Sequence, residues 1–97
     1  MKLQLDKFGK TLISRELGRE AFKAFQSTLR DFSKDEELEI DFSGVLTLSP
    51  SWMDEFLTPL SDMIGNRLML LPSDNLSVQA TIKILQEANN RIFRIRS

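Results

Sequence analysis

Leu38-Glu39-Ile40-Asp41-Phe42-Ser43-Gly44-Val45-Leu46-Thr47-Leu48-Ser49-Pro50-Ser51-Trp52-Met53-Asp54-Glu55-Phe56-Leu57-Thr58-Pro59-Leu60 decides the fold, because the spacing of its apolar residues changes once along its length. Leu38, Ile40 and Phe42 alternate with Glu39 and Asp41, the period of a half-buried strand, and Ser43-Gly44 ends the run. Val45, Leu46 and Leu48 lead to Ser49-Pro50-Ser51. Beyond them Trp52, Met53, Phe56, Leu57, Leu60, Met63 and Ile64 recur at helical spacing, which predicts an amphipathic helix packed on a sheet. Two caps fit its start: Ser49 with Pro50 at the first helical position, or Ser51 with Asp54 three residues on as a capping box. Either way Ser51 lies in the first turn, near the partly positive helix end and its free backbone donors. Pro59 cannot donate to the Glu55 carbonyl and predicts a kink, which either bends the helix over the sheet or acts as a hinge.

Outward from this stretch, Leu3 and Leu5 alternate with polar neighbours, Phe8-Gly9-Lys10 reads as a turn, and Thr11-Leu12-Ile13 is a second extended run, so an edge hairpin is expected. Ser14 fits an N-cap. Leu17, Ala21, Phe25, Leu29 and Phe32 follow at helical spacing and predict a first helix to about Phe32. Ser33 to Glu37 is a charged connector. Gly65-Asn66 ends the central helix, and Arg67-Leu68-Met69-Leu70-Leu71 reads as a strand covered on both faces. After the turn Pro72 to Asn75, the residues Val78, Ile82, Leu85 and Ala88 mark a third helix from near Asn75 to about Asn89. Strands alternating with helices predict an α/β domain spanning 1–97: a small sheet of about four to five strands with parallel crossovers, covered by three helices.

Asp41-Phe42-Ser43-Gly44-Val45, Leu48-Ser49-Pro50-Ser51-Trp52 and Asp54-Glu55-Phe56-Leu57, together with Phe8-Gly9 and Ile13 to Arg19 upstream, resemble the signature of the STAS-like family of small bacterial domains related to anti-sigma-factor antagonists. The resemblance implies a non-catalytic regulatory module that docks to another protein, either an ATPase-type serine kinase or a regulator controlled by one. In the wider group an Asp-Ser-Ser-Gly sequence carries the serine that the kinase phosphorylates. Aligned on Ser43-Gly44-Val45, that serine falls on Ser51, while Ser49 stands in place of the Asp and Trp52 in place of the Gly.

With 97 residues the chain suits one core that folds without staples, and with no cysteine it forms neither disulfides nor thiolate zinc sites. Met1 to Lys7 lacks the apolar stretch of a signal peptide and no apolar run approaches a membrane span, so a cytoplasmic location is expected. A formal charge of -1 provides no general attraction to nucleic acid or anionic lipid.

Candidate functional residues cluster around the second helix start. Ser51 is either a cap or a phosphorylation site, where a phosphate would meet the helix dipole favourably and Asp54 and Glu55 unfavourably. Ser49 is a second phosphorylation candidate, although a serine before proline suits a different class of kinase. Trp52 is either an exposed anchor for a partner or a core residue. The expected contact region is therefore Ser49, Ser51, Trp52, Asp54 and Glu55, with Arg15 and Arg19, four apart on the first helix, as a basic stripe for an acidic partner or a solvated face.

Catalysis is not expected, since histidine and cysteine are absent and no glycine-rich phosphate loop is present. Asp54 and Glu55 are adjacent and diverge by about 100 degrees on a helix, a poor carboxylate pair or metal clamp. Asp41 reads as an acceptor for loop amides. No cofactor or metal is expected, and a nucleotide site on the sheet edge has no motif. The basic and aromatic tail Arg91 to Arg96 has a pattern that can bind nucleic acid, but the alternation of Phe93 and Ile95 with Arg94 and Arg96 favours an edge strand whose arginines oppose edge pairing. The same edge could pair with a second copy. A constitutive scaffold or self-associating subunit, without phosphorylation, is the alternative functional class.

Overall fold

β1 (Lys2–Gln4), β2 (Thr11–Leu12), α1 (Arg15–Leu29), β3 (Leu38–Asp41), β4 (Thr47–Leu48), α2 (Pro50–Ile64), β5 (Leu68–Leu70), α3 (Leu76–Asn89) and β6 (Arg94–Ile95) follow one another in the computed structural model, which describes residues 1–96. Four strands form one parallel sheet in the order β1-β3-β5-β6, and β2 and β4 form a separate parallel pair. The α/β architecture expected from the alternation is thus present. The expected hairpin is not: β1 pairs with β3 and β2 with β4. A 3-10 turn over Leu5–Phe8 buries Leu5 completely, and Gly9 at φ 128 redirects the chain into the second sheet.

Each connection within the main sheet, through α1, α2 and α3 in turn, steps the same way across it. Right-handed crossovers therefore place all three helices on one face. Leu3, Leu38, Ile40, Leu68 and Leu70 point into that core. The opposite face carries Lys2, Glu39, Met69 and Arg94 in one register row. β5 is buried along its whole length, as a strand covered on both faces should be, although the two covers differ. Met69 is buried, yet it stands outside the core cluster, in a row whose neighbours are charged side chains with long stems.

Ser14 caps α1 as expected, its hydroxyl accepting from the Leu17 amide at 3.3 Å. The helix ends at Leu29 rather than Phe32, and Leu17 is exposed; Gly18, Ala21 and Phe25 form the inward face instead. The reason is a close approach. A Cβ on Gly18 would lie 2.3 Å from the Trp52 carbonyl oxygen, so the side of α1 facing α2 has room only for hydrogen there. α2 continues through Pro59 to Ile64 as one helix, and Gly65 at φ 55 ends it. α3 begins where expected, with the Asn75 side chain accepting from the Ser77 and Val78 amides, and buries Val78, Thr81, Ile82 and Leu85 but not Ala88. No helix among the described residues is long and apolar enough to cross a membrane.

Candidate functional site at the start of the second helix

β2 leads directly into α1 and β4 directly into α2, so the two-stranded sheet holds both helix starts side by side. The Ser49 amide donates to Leu12 O at 2.9 Å, and Lys10 O accepts from the amides of Leu46 and Thr47. Side chains from α3 hold the other edge of this segment. Ser77 Oγ accepts from the Leu48 amide at 2.8 Å, the Thr81 hydroxyl donates to Leu48 O at 2.8 Å, and Asn75 Nδ2 donates to the carbonyls of Val45 and Leu46 at 3.0 Å. These three polar residues do for one edge of β4 what another strand would do.

The choice between caps is settled by geometry. Ser49 is the N-cap: its Oγ accepts from the Trp52 amide at 3.1 Å and donates to Ile13 O at 2.8 Å. With Pro50 at the first helical position, Ser51 is the second helical residue and does not cap. The Ser51 to Asp54 capping box does not form; Asp54 instead accepts from the Thr58 hydroxyl at 2.9 Å. Ser51 is half-buried, and its hydroxyl has no hydrogen-bond partner among the described residues.

Trp52 is a core residue, 1 % exposed, which removes it from the expected contact region. It stacks on Phe56 with centroids 5.1 Å apart and packs against Phe8 at 6.0 Å. At this end of the molecule the exposed apolar side chains include Ile13, Leu17 and Leu46, from the segments the same hydrogen bonds tie together.

Arg15 and Arg19 are not a free basic stripe. Arg15 Nη1 reaches Glu55 at 3.0 Å and Asp54 at 3.3 Å, and Arg19 reaches Glu55 at 3.6 Å, joining α1 to the first turns of α2. The Arg15 hydrogen bond, against partial desolvation and helped by Arg19, holds Glu55 below the ordinary carboxylate range. For Asp54 desolvation pushes upward, but hydrogen bonds from Thr58 and Arg15 outweigh it and the net shift is down. Arg15 is raised in turn, by Glu55 first and Asp54 second. Asp41, expected as an acceptor for loop amides, takes the Ser43 amide at 2.9 Å; that bond lowers its pKa, with Lys2 adding to it.

The structure therefore brings Ser49, Ser51, Asp54, Glu55, Arg15 and Arg19 to one α1–α2 junction and sends Trp52 inward. Sequence reading missed Gly18, Ser77 and Thr81. The polar pair Ser77 and Thr81, four apart and beside the buried Val78 and Ile82, is the signal that could have exposed their inward role. Comparison with family models, curated proteins and solved structures finds no match.

Proposed function

We propose that this chain is a non-catalytic, STAS-like docking module whose contact surface is the start of α2, and that phosphorylation of Ser51 changes how a partner reads that surface. The observation that carries the reading is the contrast between the two serines. Ser49 is held by two hydrogen bonds, whereas Ser51 is half-buried with an uncommitted hydroxyl on the first turn of the helix. Asp54 and Glu55, three and four residues on, share its side of the helix. Their charge is already met by Arg15 and Arg19, so the repulsion expected of a phosphate there is reduced. A phosphate on Ser51 competes with those carboxylates for Arg15, and the product is a more acidic surface beside exposed Ile13, Leu17 and Leu46.

The resemblance points to a partner of the ATPase-type serine kinase class, or a regulator controlled by one, in a cytoplasmic setting. Carboxylates held ionised by arginines are poorly placed to exchange protons near neutral pH, which supports docking over acid-base chemistry. The test is affinity capture from the native host's lysate with wild type, Ser51→Ala and Ser51→Asp, read by mass spectrometry. A kinase-like ATPase or regulator retained by wild type and Ser51→Ala but lost with Ser51→Asp, or the reverse, supports the switch. Identical partners on all three overturn it.

A further inference from the structure

β6 is an outer strand of the main sheet and pairs only with β5. In its register Leu70 lies opposite Ile95, and the Arg96 amide donates to Leu70 O at 2.9 Å. The parallel ladder therefore runs through Arg94 and Arg96 and leaves the N–H and C=O of Ile95 on the open edge. Two residues earlier, the equivalent donor is already closed: the Phe93 amide donates to Gln86 Oε1 at 2.9 Å. Both arginines of the strand are ion-paired across the sheet. Arg94 turns back over the sheet to Glu37, and Arg96 turns to Glu37 and Glu39.

The inner side of the same strand is also open. Ile95 is 49 % exposed and lines, with Leu71, Val78 and Ile82, an apolar groove of about 310 Å³ between β6 and α3. Lys83 stands at this groove with no acidic side chain within ion-pair distance among the described residues. Free backbone groups for a new strand, and a groove for the side chain such a strand turns inward, are the two requirements of strand addition.

We infer that the β6 edge and the α3 groove form a strand-addition site for an extended segment of a partner protein, with an apolar residue seated in the groove between flanking acidic residues. Charge selects this occupant. Arg94, Arg96 and Lys83 set three cations against the two carboxylates of Glu37 and Glu39. A second copy paired through its own β6 would bring Arg94 opposite Arg96 twice, a like-charge cross-strand arrangement that opposes pairing. An acidic segment meets the excess instead. The site shares no residue with the Ser51 surface and stands independently of it.

The probe is a fluorescein-labelled peptide, Thr-Asp-Val-Asp-Val-Asp-Thr, titrated with the full chain and read by anisotropy. Saturable binding that weakens with added salt is expected, with no binding of the peptide in which lysine replaces each aspartate. Ile95→Pro deletes the outward donor but no β5 bond, and should weaken binding about tenfold, the factor carried by one hydrogen bond of ordinary strength. Lys83→Glu, a surface change, should weaken it severalfold while far-UV circular dichroism is unchanged. No binding of the acidic peptide, or binding that neither variant alters, overturns the inference. So does a wild-type dimer in sedimentation that Ile95→Pro dissolves, because the edge would then belong to a second copy.

Discussion

Replacing Gly18 with alanine tests the helix packing on which the α2 site depends. In an open helical position this substitution stabilises by about 1 kcal/mol through backbone propensity. At Gly18 the new Cβ would lie 2.3 Å from the Trp52 carbonyl oxygen and 3.0 Å from its carbonyl carbon and Cα, all backbone atoms that no rotamer change can move. Restoring ordinary contact requires α1 and α2 to separate by roughly 1 Å, and a gap of that size forfeits a quarter to a half of each dispersion contact it opens. Overpacking typically costs about 1–3 kcal/mol, and the upper part of that range applies because the obstacle is backbone. Set against the propensity gain, the expected net loss is about 2 kcal/mol. For a domain of this length that lowers Tm by roughly 8–16 °C. Urea melts of wild type and Gly18→Ala, with Gln26→Ala on the exposed side of α1 as a control, measure it. A neutral or stabilising Gly18→Ala would refute the close approach.

The cap assignment separates the two serines: Ser49→Ala should cost about 1–2 kcal/mol in denaturant melts, since it removes the Trp52 amide's acceptor, while Ser51→Ala should lie within about 0.5 kcal/mol of wild type. Asn75→Ala removes the α3 cap and the donor to two carbonyls of the segment before β4, with an expected loss of about 1–3 kcal/mol and preferential loss of amide-exchange protection in α3 and β4. The acid limb of stability should carry the signature of Asp54 and Glu55. Both pKa values are lower in the folded state than in the unfolded chain, where they are about 4, so their contribution is complete above that value and is lost as pH falls through the folded values. Glu55→Gln should flatten the pH dependence of the urea midpoint below about pH 5.

The central stretch was legible because its periodicity is a local property. A strand of alternating residues, a serine-proline helix start and an apolar helical face each announce themselves within a few residues, and β3, α2 and α3 lie where these signals place them. What failed was nonlocal. Leu3 and Leu12 look like the two arms of a hairpin, but each strand finds a parallel partner more than thirty residues away, and no local turn records such pairing. Leu17 fitted the apolar face of α1 by spacing alone, while the real contact falls on Gly18, which has no hydrophobicity to register. The placing of Trp52, left open between core and surface, and of Arg15 was out of local reach for a shared reason. Whether a tryptophan or an arginine at a helix start faces outward depends on what the rest of the fold packs against it, here the Phe8 ring of the 3-10 turn against Trp52 and the α2 carboxylates of Asp54 and Glu55 against Arg15.

The same junction bears on how a charge at Ser51 would act. The ion pairs between α1 and α2 are partly exposed, with Arg15 at 49 % and Glu55 at 25 %, and pairs of that kind contribute at most about 1 kcal/mol each. The contact at Gly18 and the burial of Trp52, Met53, Phe56 and Leu57 against the core are worth several times as much. A phosphate that drew Arg15 away from Asp54 and Glu55 would therefore redistribute surface charge without separating the helices. On the proposed reading the switch is electrostatic and local, and Ser51→Asp should change partner retention while leaving the urea midpoint within the range of an ordinary surface substitution. A Ser51→Asp variant that lost partner binding only in step with lost stability would argue against a surface read by a partner and for a structural role of the first turn.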